Sequence, residues 1–305
     1  MASYRKGALR PSLGDRIFDI CNVLFMLFLV TVTLYPMLNQ LALSFNDAND
    51  SIRGGIHLWP REFTLKNYEY VFQQSTIFHA TLISILRTVI GTALTVFCSA
   101  MVAYTISKPE YVLRKFVTIA FVLTLYFNGG LIPTFLLIKD LNLLNSFWVY
   151  IFPGLIGVFN LIVIRSFIQG LPDGILESAK MDGAGEFTTF VRIVLPLTVP
   201  ALATISLFAA VYQWNSWFDV FLFNSSNINL STLQYELVKI LQNSNSAVTS
   251  RTAADAFANA STDNFVSPLA VRATMTIVAS LPIMMVYPFL QKYFVKGMTV
   301  GGVKG

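Results

Sequence analysis

The segment LPDGILESAKMDGAGEFTTFVRIVLP, Leu171 to Pro196, decides how the rest of this chain is read. It is a polar interruption between two long apolar runs. Pro172 and Asp173 suit a first helical turn, where the missing proline N–H is not needed and an acid meets the positive end of the helix dipole. Gly183 supplies the left-handed residue that closes a short helix. Ser178 and Ala179 are small, so this helix can approach another surface closely. A second short helix follows before Pro196 opens the next apolar run. The segment therefore reads as a helical knob standing off the layer in which the apolar runs are buried.

Working outward, the knob is preceded by an apolar run from Phe147 to Phe167 and followed by one from Val199 to Phe223. Further runs cover Ile17–Leu38, Phe78–Ile106, Phe116–Ile138 and Val271–Tyr293. Each reaches the roughly 20 residues that a bilayer-spanning helix needs. Composition agrees: 55% of the 305 residues are hydrophobic and 12% are charged, with a mean hydropathy of +0.62. A water-facing domain carries about 25% charged residues. Backbone groups in lipid must bond within the chain, so each run is read as a helix. The fold class is an all-α integral membrane protein with six transmembrane helices. Residues 1–16 form an N-terminal cytoplasmic segment, 17–296 the membrane domain, and 297–305 a tail. Six crossings put both termini on one side. Arg5, Lys6, Arg10 and Arg16, with Lys108, Arg114 and Lys115, make that side cytoplasmic under the positive-inside rule.

The net charge of +5 forms no stripe with interleaved aromatics, so nucleic acid is not an expected partner. Cys21 and Cys98 lie in apolar runs and read as small hydrophobes. No metal or catalytic motif is found, and no phosphate-binding Gly-rich loop with its Lys-Ser/Thr. His57 and His79 fall outside or at the end of a crossing. The outer segment 224–270 carries Leu230, Leu233, Leu237 and Leu241, one apolar helical face. It continues into Asn243–Asn264, whose Ser, Asn, Ala and Thr content predicts a mobile loop. Breakers recur within the apolar runs at Asn128-Gly129-Gly130 with Pro133, at Pro153-Gly154 and at Pro282. These suit a transporter but fit other multi-helix membrane proteins as well. An ion-coupled secondary transporter would call for intramembrane acids and repeated halves, and a membrane-embedded enzyme for converging polar residues. Neither pattern stands out.

The knob resembles the shared loop of permease subunits in binding-protein-dependent ABC importers, of the type I fold. That loop reads Glu-Ala-Ala, three residues, Gly, nine residues, Ile, one residue, Leu-Pro. Here Glu177, Ser178, Ala179, Gly183, Ile193, Leu195 and Pro196 hold those places, with Asp182 and Ala184 beside the glycine. Ser178 departs from the pattern. The end Gly297–Gly305 is similar to the tail of the smaller permease of maltose importers. Phe127–Thr134 and Trp214–Phe218 resemble a carbohydrate subgroup that includes alginate and pectin-fragment importers.

The resemblance implies a bacterial inner-membrane permease for oligosaccharides, with acidic ones of the alginate type among the candidates. It implies a second homologous permease, two ATPase subunits that carry the ATP and Mg, and a periplasmic solute-binding protein. The chain itself would bind no cofactor. The knob at 171–196 would dock into an ATPase. Gly301, Gly302, Val303, Lys304 and Gly305 would reach the ATPase interface, and segment 224–270 would face the binding protein. Candidate residues of the substrate path are Arg87, Trp214, Asn215, Trp217 and Asp219. Arg87 is the basic residue deep in a crossing. It either pairs structurally with Asp219 or offers charge to an acidic sugar. The tryptophans either stack on sugar rings or simply pack.

Overall fold

A computed structural model describes residues 13–250 and 267–302. Among these, every named element is helical, apart from an isolated antiparallel bridge between Asn46 and Phe63. The helices are α1 (Leu13–Ser44), α2 (Ala48–Ile52), α3 (Lys66–Gln73), α4 (Ser75–Ser107), α5 (Arg114–Tyr126), α6 (Leu131–Asp140) and α7 (Val158–Gln169). There follow α8 (Asp173–Met181), α9 (Glu186–Thr189), α10 (Leu195–Leu197), α11 (Val199–Asn215), α12 (Phe218–Phe223), α13 (Leu233–Ser250) and α14 (Pro268–Gly302). The described residues group into two compact units, 13–70 with 267–277 and 71–250 with 278–302.

In the first unit, α1 is exposed at every position from Leu13 to Pro36. An apolar rod of this kind is suited to lipid, and its polar side chains adapt: Thr31 and Thr33 donate to Leu27 O and Leu29 O within the helix, each at 2.8 Å. The segment that follows is organised by Asn46, which is fully buried. Its Oδ1 accepts from the N–H groups of Arg61 (2.8 Å) and Glu62 (3.0 Å). Its Nδ2 donates to Asp50 and Ser51, both at 3.0 Å. Buried Asn67 adds bonds to Ser44 O and Asn46 O. Arg61 Nε completes the arrangement on Asp50 Oδ2 at 3.0 Å. The Asn46 bond, ahead of Arg61, holds the Asp50 carboxyl below its ordinary pKa against the opposing effect of desolvation.

In the second unit α4 is the spine. It packs against α7 and α11 over much of its length, and against α5 and α13. One core cluster gathers Ala100, Ala103, Tyr104, Leu161, Ile164, Phe190, Val194 and Ile205. A second, built on Ile83, takes in Ile138, Val149, Tyr150, Ile151 and Val220. Small residues at 100 and 103 let the neighbouring helices close on α4, as membrane helix packing favours.

Among the described residues, three helices are long and apolar enough to cross a membrane: Leu13–Ser44, Ser75–Ser107 and Pro268–Val286. Two bent pairs raise this to five if each is one span: Phe147–Gly154 with Val158–Gln169, at 53°, and Glu186–Leu197 with Val199–Asn215, at 82°. The expected crossing Phe116–Ile138 is instead broken into α5 and α6 of 13 and 10 residues. At 1.5 Å per residue neither piece spans a hydrocarbon core of about 30 Å. The break lies at the Asn128-Gly129-Gly130 signal, where Gly130 takes φ +90° and its N–H bonds Asn128 Oδ1 at 2.9 Å.

Two further expectations change. The loop expected from Asn243 is helical to Ser250, because α13 runs on past its apolar leucines, and residues 251–266 lie outside those described. The final helix extends beyond Tyr293 to Gly302, so Gly301 and Gly302 belong to it, while Val303, Lys304 and Gly305 lie outside the described residues. Residues 1–12 of the N-terminal segment are likewise outside, and 13–16 already belong to α1.

Replacing Asn46 with Ala should strand several buried backbone and side-chain groups, at a cost of about 2–3 kcal/mol. Limited proteolysis in detergent should show faster cleavage across 46–64, with cleavage elsewhere unchanged. Unaltered cleavage there would mean that Asn46 does not organise the segment.

Candidate functional site

Helix α8 ends as its sequence requires. Gly183 adopts φ +76°. Its N–H bonds Lys180 O, and the next N–H, of Ala184, bonds Ala179 O, both at 3.0 Å. This pair of reverse bonds is a Schellman closure, which satisfies carbonyls that the helix end would leave free. Of the small residues, Ala179 faces inward and is buried, whereas Ser178 is exposed and its hydroxyl back-bonds to Gly174 O at 2.7 Å. Glu177 and Asp182 are exposed, Ala184 half-buried. Met181 at 87% exposure and Phe187 at 66% stand out as large apolar side chains in a polar segment. Reading by motif passed over both, because the shared pattern does not specify them.

The chain then enters α11 through a widened helical turn. Leu195 N–H reaches back five residues to Phe190 O, making Phe190–Val194 a single π-helical turn. Pro196 has no N–H to donate, and wide turns of this kind accommodate such gaps. Ile193 and Leu195 are half-buried and Pro196 is exposed.

Behind α8 lies a cleft of about 480 Å³ between the end of α4, the following loop, and the start of α9. Lys180 bonds Glu110 across it at 2.7 Å. Glu186 receives both Lys108 and, at 2.9 Å, the Tyr104 hydroxyl. The Lys180 hydrogen bond, ahead of a backbone bond and the lysine's charge, keeps the Glu110 carboxyl below its ordinary pKa. Exposed pairs of this type stabilise little, about 0–1 kcal/mol, so they orient α8 more than they hold it.

Arg87 is 1% exposed, and all three guanidinium nitrogens are engaged. Nη1 and Nη2 bond the two carboxylate oxygens of Asp219 at 3.2 and 2.5 Å. Nη1 also reaches Ser216 O at 3.3 Å, and Nε donates to Gln213 Oε1 at 3.1 Å. The Tyr150 ring lies 4.4 Å from Cζ. Of the two sequence readings of Arg87, the geometry presents the pair with Asp219. Trp214 is buried and its indole N–H bonds Ala279 O at 2.9 Å, which is a packing role. Asn215 is exposed and accepts from Gln234 at 3.2 Å. Trp217 is half-buried and sets its ring edge-on to Phe218.

The sequence reading did not pick out the residues that line the larger cleft in this region. The bend between Gly154 and Val158 opens a space of about 350 Å³ against α11, bordered by Thr95, Gly157, Asn160, Phe208, Tyr212 and Gln213. A shallower hollow continues from Tyr212 to Asn215, Trp217 and Phe218. Phe208 and Tyr212 are four residues apart on one helix face and are 42% and 66% exposed. The spacing was visible in the sequence. In a run this apolar it could not be told from a lipid-facing stripe without the bend opposite. No lysine or arginine lines either hollow.

Residues 85–300 match the family model described as the inner membrane component of binding-protein-dependent transport systems. The chain is 36% identical over 293 residues to the polygalacturonan/rhamnogalacturonan transport system permease protein YtcP of Bacillus subtilis, covering 95% of this chain and 99% of that one. It is 38% identical to Protein LplC of the same organism, with 96% of each chain covered. Among solved structures, it superposes with a TM-score of 0.84 and 28% identity on a chain of a bacterial ABC transporter involved in the import of the acidic polysaccharide alginate, covering 94% of this chain and 100% of that one. A short helix with an exposed face, capped at Gly183, and a bend-lined cleft thus occur in a chain that belongs to the family of binding-protein-dependent inner-membrane transport components.

Proposed function

We propose that this chain is one permease of an importer that moves oligosaccharides, including uronate-containing ones, across the bacterial inner membrane by ATP-driven alternating access. The observation that carries the reading is the exposed face of α11. Phe208 and Tyr212 offer flat apolar surfaces to a cleft whose polar lining, Asn160, Gln213 and Thr95, is neutral. Sugars present apolar ring faces edged with hydroxyls, and this lining suits both. The names of the YtcP relative and of the alginate importer support an acidic substrate. The neutral lining means that recognition by this chain would rest on rings and hydroxyls.

ATP and Mg would be bound by two separate ATPase subunits, and a second homologous permease would complete the pathway. A periplasmic binding protein would deliver the sugar, as the family description supports. Helix α8 and the turn into α9 would dock on an ATPase through Glu177, Ser178, Asp182 and the apolar anchors Met181 and Phe187, with Ala179, Gly183, Ala184, Ile193, Leu195 and Pro196 shaping the segment. The exposure of the docking residues and the burial of Ala179 support this reading. The tail Gly301–Gly305 would extend toward the ATPase interface. Both termini would be cytoplasmic, with α5 and α6 together forming one broken passage among six.

Two outcomes follow. Gly183→Val should cost about 1–2 kcal/mol at a left-handed position and misdirect α8. The reconstituted importer should lose most of its substrate-stimulated ATP turnover, and normal stimulation would remove α8 as the coupling element. Tyr212→Ala should raise the KM for oligosaccharide uptake about threefold to tenfold, the loss expected of one aromatic contact. A wild-type KM for both oligogalacturonates and neutral arabino-oligosaccharides would sink the cleft reading.

A further inference from the structure

Gln213 is 3% exposed, yet it lines the cleft, and its amide is held from two directions. Arg87 Nε donates to Oε1 at 3.1 Å, and Nε2 donates to Tyr150 O at 3.2 Å. Turning the amide over would set its NH₂ against the guanidinium and its oxygen against a carbonyl. Both contacts are repulsive, so one orientation remains. Gly91 provides the room: a Cβ there would lie 2.6 Å from Gln213 Nε2 and 2.8 Å from its Cδ. Asp219 meanwhile occupies Arg87 with a two-point ion pair, which fixes the guanidinium plane and offsets its charge.

We propose that Arg87 is a positioning residue that fixes the Gln213 amide at the cleft wall, so that this subsite reads sugar hydroxyls and not carboxylates. The inference rests on the cleft reading above. With one N–H given to Tyr150 and one lone pair given to Arg87, the amide keeps one N–H and one lone pair for a ligand. A hydroxyl both donates and accepts, so neighbouring hydroxyls on a sugar ring satisfy both. A carboxylate only accepts, and it would leave the amide oxygen facing another acceptor. Arg87 therefore serves neutral and acidic oligosaccharides alike, although its charge stands one hydrogen bond behind the cleft wall.

The test uses the full importer, assembled with its partner subunits in proteoliposomes, and measures uptake of trigalacturonate and arabinotriose. Arg87→Lys keeps a cation beside Asp219 but removes the Nε donor from Gln213. It should raise KM about tenfold for both sugars while changing the maximal rate less than twofold. Gln213→Ala should do the same, and the double variant should lose no more than either single one. A loss confined to trigalacturonate would overturn the proposal in favour of direct charge recognition. Additive losses would show that Arg87 does not act through Gln213. A collapse of the maximal rate at unchanged KM would assign Arg87 to structure. If Arg87→Lys fails to assemble, Gly91→Ala decides, because it displaces the amide and leaves the ion pair in place. A wild-type KM in Gly91→Ala would then overturn the proposal. If Tyr212→Ala weakens uptake while Arg87→Lys does not, this inference fails and the cleft reading stands. If neither matters, the cleft reading itself is lost.

Discussion

Lipid offers a backbone N–H or C=O no partner, and that constraint organises this chain more than any side-chain contact does. It forces the apolar runs into helices. It also means that each interruption needs its own local answer. At 127–130 the answer is Asn128, whose side chain takes the Gly130 N–H. Before Pro196 it is a single wide turn that carries Leu195 N–H back to Phe190 O. At Thr198 the side-chain hydroxyl doubles the backbone bond to Val194 O. These interruptions are also where the chain does something other than span. The bend after Gly154 opens the cleft, and the passage through Pro196 joins the projecting α8 to α11.

A second constraint is the buried charge on Arg87. Removing an ion's water costs several kcal/mol, and deleting one member of such a pair typically costs about 3–5 kcal/mol. The chain answers with Asp219, Ser216 O, Gln213 and the Tyr150 ring. Those partners come from α12, α11, the turn between them and the 3₁₀ turn at Phe147–Tyr150. The charge thereby ties α4 to three other elements at one point. It is a costly tie, and it also aligns a neighbour that borders the cleft.

Much of the architecture was legible in the residues. Apolar runs gave the helical membrane fold, and Pro172, Gly183 and Pro196 gave the shape of the α8 segment almost residue by residue, since turn chemistry is local. The pairing of Arg87 with Asp219 could be anticipated as one of two options, because a deep cation needs a partner. What was not legible depended on tertiary context. Phe116–Ile138 looked like one crossing because hydropathy does not register the helix break at Gly130. Trp214 could stack or pack as far as the residues told, and only the fold shows its indole N–H spent on Ala279 O. Tyr212 and Asn160 are unremarkable in sequence and share a cleft only because the chain bends by 53° just ahead of α7. Met181 escaped notice because an exposed apolar residue is visible only once its surroundings are known.

Helix α4 has a mechanical consequence. It runs 33 residues, from Ser75 to Ser107, with no internal proline, whereas α1 contains Pro36 and α14 contains Pro282 and Pro288. At 1.5 Å per residue it is an unbroken strut about 50 Å long. Arg87 lies partway along it, and Lys108, bound to Glu186, sits at its end. A strut without a hinge cannot absorb a push at one end by bending, so it behaves as a lever. Motion imposed near Lys108 would arrive at the Arg87 anchorage as tilt, with the stiffness of the hydrogen-bonded rod setting how little is lost on the way.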